Sequence, residues 1–290
     1  MKPVAFDYHR PETVPEATAL LAELREEGAV MSGGMTLGPM LNLRMVRPRA
    51  VVDVSRIASL KSITVTDKAV VTGAAVVQAD AMRSDVIKKD VPLLALGLPW
   101  VGHFQTRNRG TLGGSVAHAD PSAEIPLCLV VCGGTVVLQS KKRTRRVPAV
   151  EFFQGALTTQ RQYDELVVAL EWPRTAKDAG HAFIEIAERH GDFALAAAAC
   201  TLRVDANGNL LELTLGLGGV ENRPIRVDVR PFIGRNALAS AAEIAAHASQ
   251  SISPMEDHAA SADFRRALTL DLVQRVIEAA VADAKKRSGA

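Results

Sequence analysis

The 290-residue chain is poor in cysteine, with only Cys128, Cys132 and Cys200. A low, odd count argues against a disulfide framework and indicates a reducing compartment. Cys128 and Cys132 are spaced to share a helix face, but no other cysteine or histidine joins them at ligand spacing. We therefore predict buried, unreactive thiols and no zinc or iron–sulfur ligand set in this chain.

Long apolar runs and a strong charge imbalance are also absent. Residues 1–10 lack the apolar segment of a signal peptide, and no uncharged run is long enough to span a membrane. The formal net charge is +2, so charge alone indicates neither nucleic acid nor a membrane as a partner. The basic run at residues 141–146 has no interleaved aromatics and is predicted to lie at a hairpin tip. We expect a cytoplasmic protein that binds no nucleic acid.

The sequence pattern predicts a mixed α+β protein with two domains, residues 1–176 and 177–290. Residues 1–56 resemble a β-α-β unit, in which Thr13 and Glu16 have the capping-box spacing of a first helix. The next part, residues 57–176, opens with a predicted hairpin. Helices are predicted there at residues 78–89, 92–101 and 120–131. A polar linker near residues 172–180 marks the domain boundary.

The last third of the chain predicts three strands followed by two helices. The strands are expected at residues 181–188, 194–204 and 210–217. The last two are joined at residues 206–208, Ala-Asn-Gly, which favours a tight hairpin. The helices are expected at residues 239–250 and 262–286.

Two glycine-rich segments are the strongest candidates for a binding site. Residues 32–38 (Ser-Gly-Gly-Met-Thr-Leu-Gly) lie between a predicted strand and a predicted helix, and residues 109–115 (Arg-Gly-Thr-Leu-Gly-Gly-Ser) form a second such segment. Adjacent glycines lack Cβ atoms, so backbone N–H groups can close around phosphate oxygens. Two such segments suit a pyrophosphate, although each alone is equally explained by a structural turn. Neither matches an ATPase phosphate loop or a Rossmann fingerprint.

Carboxylates follow the second glycine segment. Asp120 and Glu124 lie near the start of a predicted helix, where an acid either caps the helix or accepts hydrogen bonds from ligand hydroxyls. Both interpretations stay open for Glu124 on the sequence alone. No nucleophile–base arrangement is identifiable.

Together these segments resemble the FAD-binding medium subunits of the molybdenum hydroxylases, the family of xanthine dehydrogenase and carbon monoxide dehydrogenase. Residues 32–36 resemble the first FAD motif (Ala-Gly-Gly-X-Ser/Thr), and residues 111–115 resemble the second (Thr-Ile-Gly-Gly). Further matching segments extend the resemblance over about residues 1–285. They lie at residues 43–48, 118–124, 191–194 and 260–266. Ser32 and Met35 depart from the commoner residues of the first motif, which affects flavin tuning or access more than binding.

The resemblance implies a fold and a set of contacts. The fold is α+β: a two-part FAD-binding domain of the PCMH (vanillyl-alcohol-oxidase-like) type, at about residues 1–56 and 57–176, followed by a three-stranded antiparallel sheet with helices. The FAD contacts that it implies are Met31, Ser32, Gly33, Gly34, Met35, Thr36, Leu37, Thr106, Gly110, Thr111, Gly113, Gly114, Ser115, Glu124, Leu166, His190 and Phe193. The two glycine segments would surround the pyrophosphate and Glu124 the ribityl or nearby hydroxyls. Either His190 or Phe193 would face the isoalloxazine ring.

The implied function is electron transfer within a larger oxidoreductase. A large subunit with a molybdopterin cofactor would hydroxylate the substrate, and electrons would pass through two [2Fe–2S] clusters of a small subunit to FAD in this chain, then to an external acceptor. The resemblance implies no catalytic acid, base or metal ligand in this chain, and a heterohexamer with two copies of each subunit. Two alternatives stay open: a stand-alone FAD oxidoreductase with its own substrate pocket, and a nucleotide-binding scaffold without redox turnover.

Overall fold

The computed structural model describes residues 1–289. In this range the strands are β1 (Asp7–His9), β2 (Gly28–Met31), β3 (Ala50–Asp53), β4 (Ile63–Val65), β5 (Ala69–Gly73), β6 (Thr135–Gln139), β7 (Thr144–Pro148), β8 (Phe153–Gly155), β9 (Thr158–Thr159), β10 (Leu166–Pro173), β11 (Gly180–Ile186), β12 (Ala196–Val204), β13 (Leu210–Gly218) and β14 (Ile225–Val227). The α-helices are α1 (Val14–Leu24), α2 (Leu37–Asn42), α3 (Gln78–Arg83), α4 (Asp85–Asp90), α5 (Pro92–Gly97), α6 (Phe104–Arg107), α7 (Leu112–His118), α8 (Glu124–Val131), α9 (Ala149–Phe152), α10 (Ala237–Ser251) and α11 (Ala262–Ser288).

The N-terminal part is a small parallel sheet in the order β1-β3-β2 with α1 packed against it. The predicted capping box begins α1: Thr13 Oγ1 accepts from the N–H of Glu16 at 3.3 Å, and the Glu16 carboxylate accepts from the N–H of Glu12 at 3.0 Å. Ala17 and Leu21 of this helix are fully buried. Strand β2 ends at Met31, so the first glycine segment begins at the edge of this sheet.

The middle part is a five-stranded antiparallel sheet in the order β4-β5-β10-β6-β7. Its central strand β10 carries the fully buried Trp172, whose indole N–H donates to Thr72 Oγ1 of β5 at 3.0 Å. A buried indole N–H needs such an acceptor. The hairpin predicted at the basic run is confirmed, because β6 and β7 pair across a turn that contains Lys141, Lys142 and Arg143.

The C-terminal part is an antiparallel sheet in the order β11-β12-β13-β14, with α10 and α11 packed against one face. The three predicted strands are present. A fourth, β14, adds to the edge at β13. Strand β12 is rich in alanine and alternates between faces: Ala197 and Ala199 pack toward the middle part, and Ala198 and Cys200 toward α11. The sheet is therefore covered on both faces and fixes the C-terminal part against the rest of the chain.

Helix α8 lies between the middle and C-terminal parts, and all eight of its residues are buried. An α-helix that is apolar on every side belongs inside a core, and α8 contacts both α5 and the C-terminal strands β12 and β13. Cys128 of α8 and Cys200 of β12 are buried thiols, as predicted, whereas Cys132 is half-buried. Burial raises the pKa of all three thiols, that of Cys132 to about 12.

One predicted helix is interrupted in the structure. Residues 78–89 form two helices, α3 and α4, because the Ser84 side chain accepts from the N–H of Ile87 at 3.4 Å and begins a new helix. A serine that caps locally competes with continuation of the helix in which it lies.

The predicted helix at residues 120–131 begins later than expected. The Asp120 carboxylate accepts from the N–H of Ser122 at 2.9 Å, which forms a turn, and α8 begins at Glu124. This shift places Glu124 at the first helical position.

Candidate cofactor site

A cleft of about 900 Å³ lies between the three parts of the chain. It is lined by the first glycine segment, by α7, by the start of α8 and β10, and by two C-terminal loops. Sixteen of the seventeen residues predicted to contact the cofactor line this cleft, and His190 does not. Its volume is at the upper end of the usual range for ligand and cofactor clefts.

The first glycine segment presents a row of unused backbone donors to the cleft. The N–H groups of Gly33, Gly34, Met35 and Thr36 have no acceptor among residues 1–289. Gly34 has a φ of +71°, a left-handed conformation that favours glycine and that occurs in backbone turns that bind anions. Such a concave run of N–H groups is suited to an anion, and α2 begins immediately after it.

The two glycine segments are packed directly against each other. A Cβ on Gly33 would lie 2.1 Å from the Arg109 carbonyl oxygen and 2.9 Å from Gly110 Cα, so only glycine fits. The Thr111 hydroxyl donates to Ser32 Oγ at 3.1 Å across the same junction. Seventy residues of sequence separate these segments, and the fold forms one continuous wall from them.

The second glycine segment differs from the simple turn that the sequence predicts. Thr111 is the N-cap of α7, and Gly113 and Gly114 lie inside this helix. Their N–H groups are already engaged: Gly113 donates to the Ala74 carbonyl at 2.9 Å, and Gly114 donates to Thr111 Oγ1 at 3.1 Å. A Cβ on Gly113 would lie 2.4 Å from the Ala74 Cβ. These glycines therefore permit close packing, and free donation comes from the first segment.

The charges of the cleft are predominantly acidic. Among the described residues that line it, Arg161 is the single arginine or lysine, and its guanidinium donates to the carbonyls of Gln162 and Glu165. Acidic lining residues are Asp120, Glu124, Glu165, Glu188 and Asp192. An anion at the glycine wall is thus met by backbone dipoles rather than by side-chain cations.

Glu124 is buried, with 7% of its surface exposed, and it lacks the arginine partner that Arg145 provides for the buried Glu165. Burial, with a smaller contribution from the negative charge of Asp120, raises its pKa to about 7, and the Arg107 cation partly opposes this rise. A carboxyl group that gains and loses a proton near neutrality therefore lies in the wall of the cleft.

The C-terminal wall contains the segment predicted to lie at the isoalloxazine ring. Phe193 lines the cleft with 67% of its surface exposed. His190 instead stacks on Trp100, with 5.5 Å between ring centroids. Gly191, at φ +91°, packs on His103 so closely that a Cβ would lie 2.7 Å from the ring. Of the two candidates, Phe193 is the one that the structure brings to the cleft.

A buried arginine holds this wall in place. Arg265 of α11 donates to the Leu195 carbonyl, to the Gly219 carbonyl at 2.5 Å and to the Asp257 carboxylate at 2.7 Å. Leu195 lines the cleft, and Asp257 accepts from backbone N–H groups of the loop that supplies His258. Arg265 therefore links α11 to both C-terminal loops of the cleft.

Several lining residues were not predicted from the sequence. They are Gln78, His103, Arg161, Glu188 and His258, among others. Gln78 packs under Gly110 and its N–H donates to the Gly110 carbonyl at 2.8 Å. These residues belong to no local motif, so only the tertiary arrangement identifies them.

Comparison with known proteins matches two segments of the chain to described domains. Residues 4–175 match the FAD binding domain in molybdopterin dehydrogenase, and residues 181–280 match the CO dehydrogenase flavoprotein C-terminal domain. The chain is an FAD-binding medium subunit of the molybdenum hydroxylase family. This medium subunit is therefore a flavoprotein component of an oxidoreductase.

Relatives match this medium subunit over almost their whole length. The caffeine dehydrogenase subunit beta of Pseudomonas sp. (strain CBB1) is 34% identical, covering 96% of this chain and 95% of the relative. The carbon monoxide dehydrogenase medium chain of Hydrogenophaga pseudoflava is 32% identical, covering 97% and 98%.

Solved structures confirm the predicted fold class. Carbon monoxide dehydrogenase from Hydrogenophaga pseudoflava superimposes with a TM-score of 0.94 at 31% identity, over 98% of this medium subunit and 99% of that chain. Quinoline 2-oxidoreductase from Pseudomonas putida 86 superimposes with a TM-score of 0.93 at 33% identity, over 98% and 99%. In residues 1–289, no helix of this medium subunit is both long and apolar enough to cross a membrane.

Proposed function

We propose that this medium subunit binds FAD in the cleft and transfers electrons from the [2Fe–2S] clusters of a partner subunit to an external acceptor. The observation that carries the proposal is that residues 33–36, whose four N–H groups have no acceptor among residues 1–289, line a cleft between the three parts of the chain. A pyrophosphate is the part of FAD that requires such donors.

The residues of the cleft fit FAD along its length. The first glycine segment would hold the pyrophosphate, and the second would support the first by close packing at Gly33. Glu124 would accept hydrogen bonds from ribityl or nearby hydroxyls. Phe193 would cover one face of the ring. These assignments keep all the predicted contacts except His190, whose ring is engaged with Trp100.

Bound FAD would supply the redox chemistry, and the protein would bind, orient and shield it. Electrons would arrive from a small iron–sulfur subunit, after substrate hydroxylation on a large subunit that holds the molybdopterin cofactor. We infer the partners from relatives named as medium chains or subunits of such dehydrogenases. We further propose a heterohexamer with two copies of each of the three subunits, located in the cytoplasm.

Reduction of the flavin tests whether the substrate is oxidised on a partner subunit rather than on this chain. The FAD-loaded isolated chain would be mixed anaerobically with the substrates that the relatives' names indicate: caffeine, nicotine, glyceraldehyde and carbon monoxide. We expect the flavin absorbance to stay unchanged. It should bleach when the complex purified from the native source receives its own substrate. Bleaching of the isolated chain by an organic substrate would contradict the proposal and favour a stand-alone oxidoreductase.

A further inference from the structure

A second buried acid lies behind Glu124. Glu185 of β11 has 6% of its surface exposed, and neither of its carboxyl oxygens has a hydrogen-bond partner among residues 1–289. A buried ionised carboxylate without a partner is strongly unfavourable, so such a group holds a proton instead. Binding of a flavin does not by itself require an acid at position 185.

Glu185 lies within electrostatic range of the acid of the cleft wall, because the charge of Glu124 acts on it. Its face of β11 also carries Phe183, which converges with Cys128 of α8 on Gly97: an added Cβ there would lie 2.8 Å from the Cys128 sulfur and 3.5 Å from the Phe183 ring. Glu124 lies one helical turn before Cys128. The negative charges of both glutamates act on the Cys128 thiol, so these three buried groups interact electrostatically.

Among residues 1–289, the elements packed around Glu185 bring no cation to its carboxyl group. Helix α5 supplies only apolar residues, and the facing part of β12 (residues 196–199) is alanine. Helix α8 supplies Glu124 and Cys128. The charged groups of α11 that contact β11 lie at the other end of β11, beside His181. Toward the cleft, Asp120 and Arg107 act on Glu124 with opposite signs.

We propose that Glu124 and Glu185 form a proton-storing pair behind the flavin, in which Glu185 acts through Glu124 to take up a proton when the cofactor is reduced. The proposal rests on the proposed FAD site. When the iron–sulfur partner delivers two electrons, one carboxylate of the pair would bind a proton from solvent and become a carboxylic acid, and a second proton would go to the bound flavin. Oxidation by the external acceptor releases both protons. Proton uptake by the pair limits the negative charge that reduction adds to the acidic cleft.

The ordinary chemistry of the pair supports this assignment. Burial and the charge of Glu124 raise the pKa of Glu185 to about 8, and burial chiefly raises that of Glu124 to about 7. Two interacting acids titrate as a unit across the neutral range. New negative charge beside them raises their proton affinity further, so reduction and proton uptake are coupled. Glu185 is a positioning residue in this scheme, since Glu124 alone lines the cleft.

Proton uptake during flavin reduction tests the pair. The FAD-loaded chain would be reduced anaerobically with dithionite in weakly buffered solution at about pH 7.5, with a pH-indicating dye. Glu185→Gln keeps the shape and removes the titration, and Glu151→Gln is a matched control on an exposed acid outside the cleft. We expect the wild type and Glu151→Gln to take up more protons per electron pair than Glu185→Gln, and the midpoint potential of Glu185→Gln to depend less steeply on pH.

Equal proton uptake by all three proteins, each carrying flavin, would overturn the pair and leave the proposed function intact. Failure of the wild-type chain to bind FAD would overturn the proposed function itself. If Glu185→Gln does not fold, infrared difference spectra of the wild type decide the question. A carboxylic-acid C=O band that appears on reduction is expected, and its absence would overturn the proposal.

Discussion

At the scale of single residues, the glycines of the cleft have different physical roles. Gly34 provides a left-handed turn that leaves four N–H groups free, whereas Gly33 and Gly113 permit backbone segments to touch. The same residue type therefore supplies donors in the first segment and packing in the second. The sequence predicts that both segments matter, but the hydrogen bonds of Gly113 and Gly114 depend on Ala74 and Thr111 and are visible only in the structure.

Substitution of Gly33 should abolish FAD binding. In Gly33→Ala the new methyl group would overlap the Arg109 carbonyl at 2.1 Å and push the two glycine segments apart. We also expect a loss of about 1–3 kcal/mol in the free energy of unfolding, as in overpacked cores. Gly38→Ala is the matched control, because nothing lies within 4 Å of its Cβ position. FAD titration by fluorescence and urea unfolding measure both effects; equal behaviour of the two variants would contradict the close-packing account.

The buried acids predict how stability depends on pH. Glu124 and Glu185 ionise near 4.5 when unfolded but have pKa values of about 7 and about 8 in the folded chain. The folded state thus keeps protons that the unfolded state releases, and their contribution to stability is fully present below about pH 4.5 and lost as pH rises through 7 and 8.

We expect the free energy of unfolding of the FAD-free chain to fall by a few kcal/mol between pH 6 and pH 9, since a tenfold change in an ionisation constant corresponds to about 1.4 kcal/mol. Glu185→Gln should show a smaller fall. Urea unfolding at several pH values measures both. A fall of the same size in Glu185→Gln would show that Glu185 is ordinarily ionised in the folded chain.

At the scale of elements, the cleft depends on how α11 is fixed to two loops. Arg265, with 1% of its surface exposed, contacts the loop that ends at Leu195, the turn at Gly219 and the loop that begins at Asp257. One side chain of a helix far along the chain therefore orders the C-terminal wall. This wall contains Phe193, the residue that we assign to the flavin ring.

Arg265→Met should loosen this wall. Removal of the guanidinium leaves the Leu195 and Gly219 carbonyls without this donor, whereas Asp257 keeps its backbone N–H donors, and an unsatisfied buried polar group costs about 1–3 kcal/mol. Arg275→Met, which removes an exposed pair with Asp271, should cost well under 1 kcal/mol. Urea unfolding measures the difference. Hydrogen exchange should accelerate at residues 191–195 and 257–260 only in Arg265→Met, and unchanged exchange there would contradict the proposed role.

Elements with a local signal were predictable, and those fixed by distant contacts were not. The capping box at Thr13 and the hairpin at residues 206–208 match α1 and the β12–β13 turn because their hydrogen bonds are local. Strand β14 has three residues, too few for a periodic pattern, and depends on pairing with β13. The break at Ser84 competes with an otherwise helical sequence. The strands predicted at residues 181–188 and 194–204 were too long at their facing ends. The residues at those ends belong to the cleft loop that separates β11 and β12.

At the scale of the whole molecule, the cleft exists because the first glycine segment packs against residues 109–110 and α8 packs against the C-terminal sheet. The glycine segments carried enough information to predict a nucleotide site and, through resemblance, the family. The opposite wall, with Gln78, Arg161 and His258, comes from separate regions that only the fold brings together. The domain boundaries and individual cofactor contacts stay predictions. The acidic character of the cleft and its few cations imply that backbone N–H groups bind the pyrophosphate.

The most direct test of the central claim is purification of the tagged chain from its native host, followed by an absorbance spectrum and metal analysis of everything that elutes. We predict flavin absorbance, FAD on extraction, and two further chains with iron and molybdenum in a complex of two copies of each subunit. A yellow single chain that oxidises substrate without metals would contradict the role as an electron-transfer subunit. A colourless chain that FAD does not reconstitute would contradict the cofactor site.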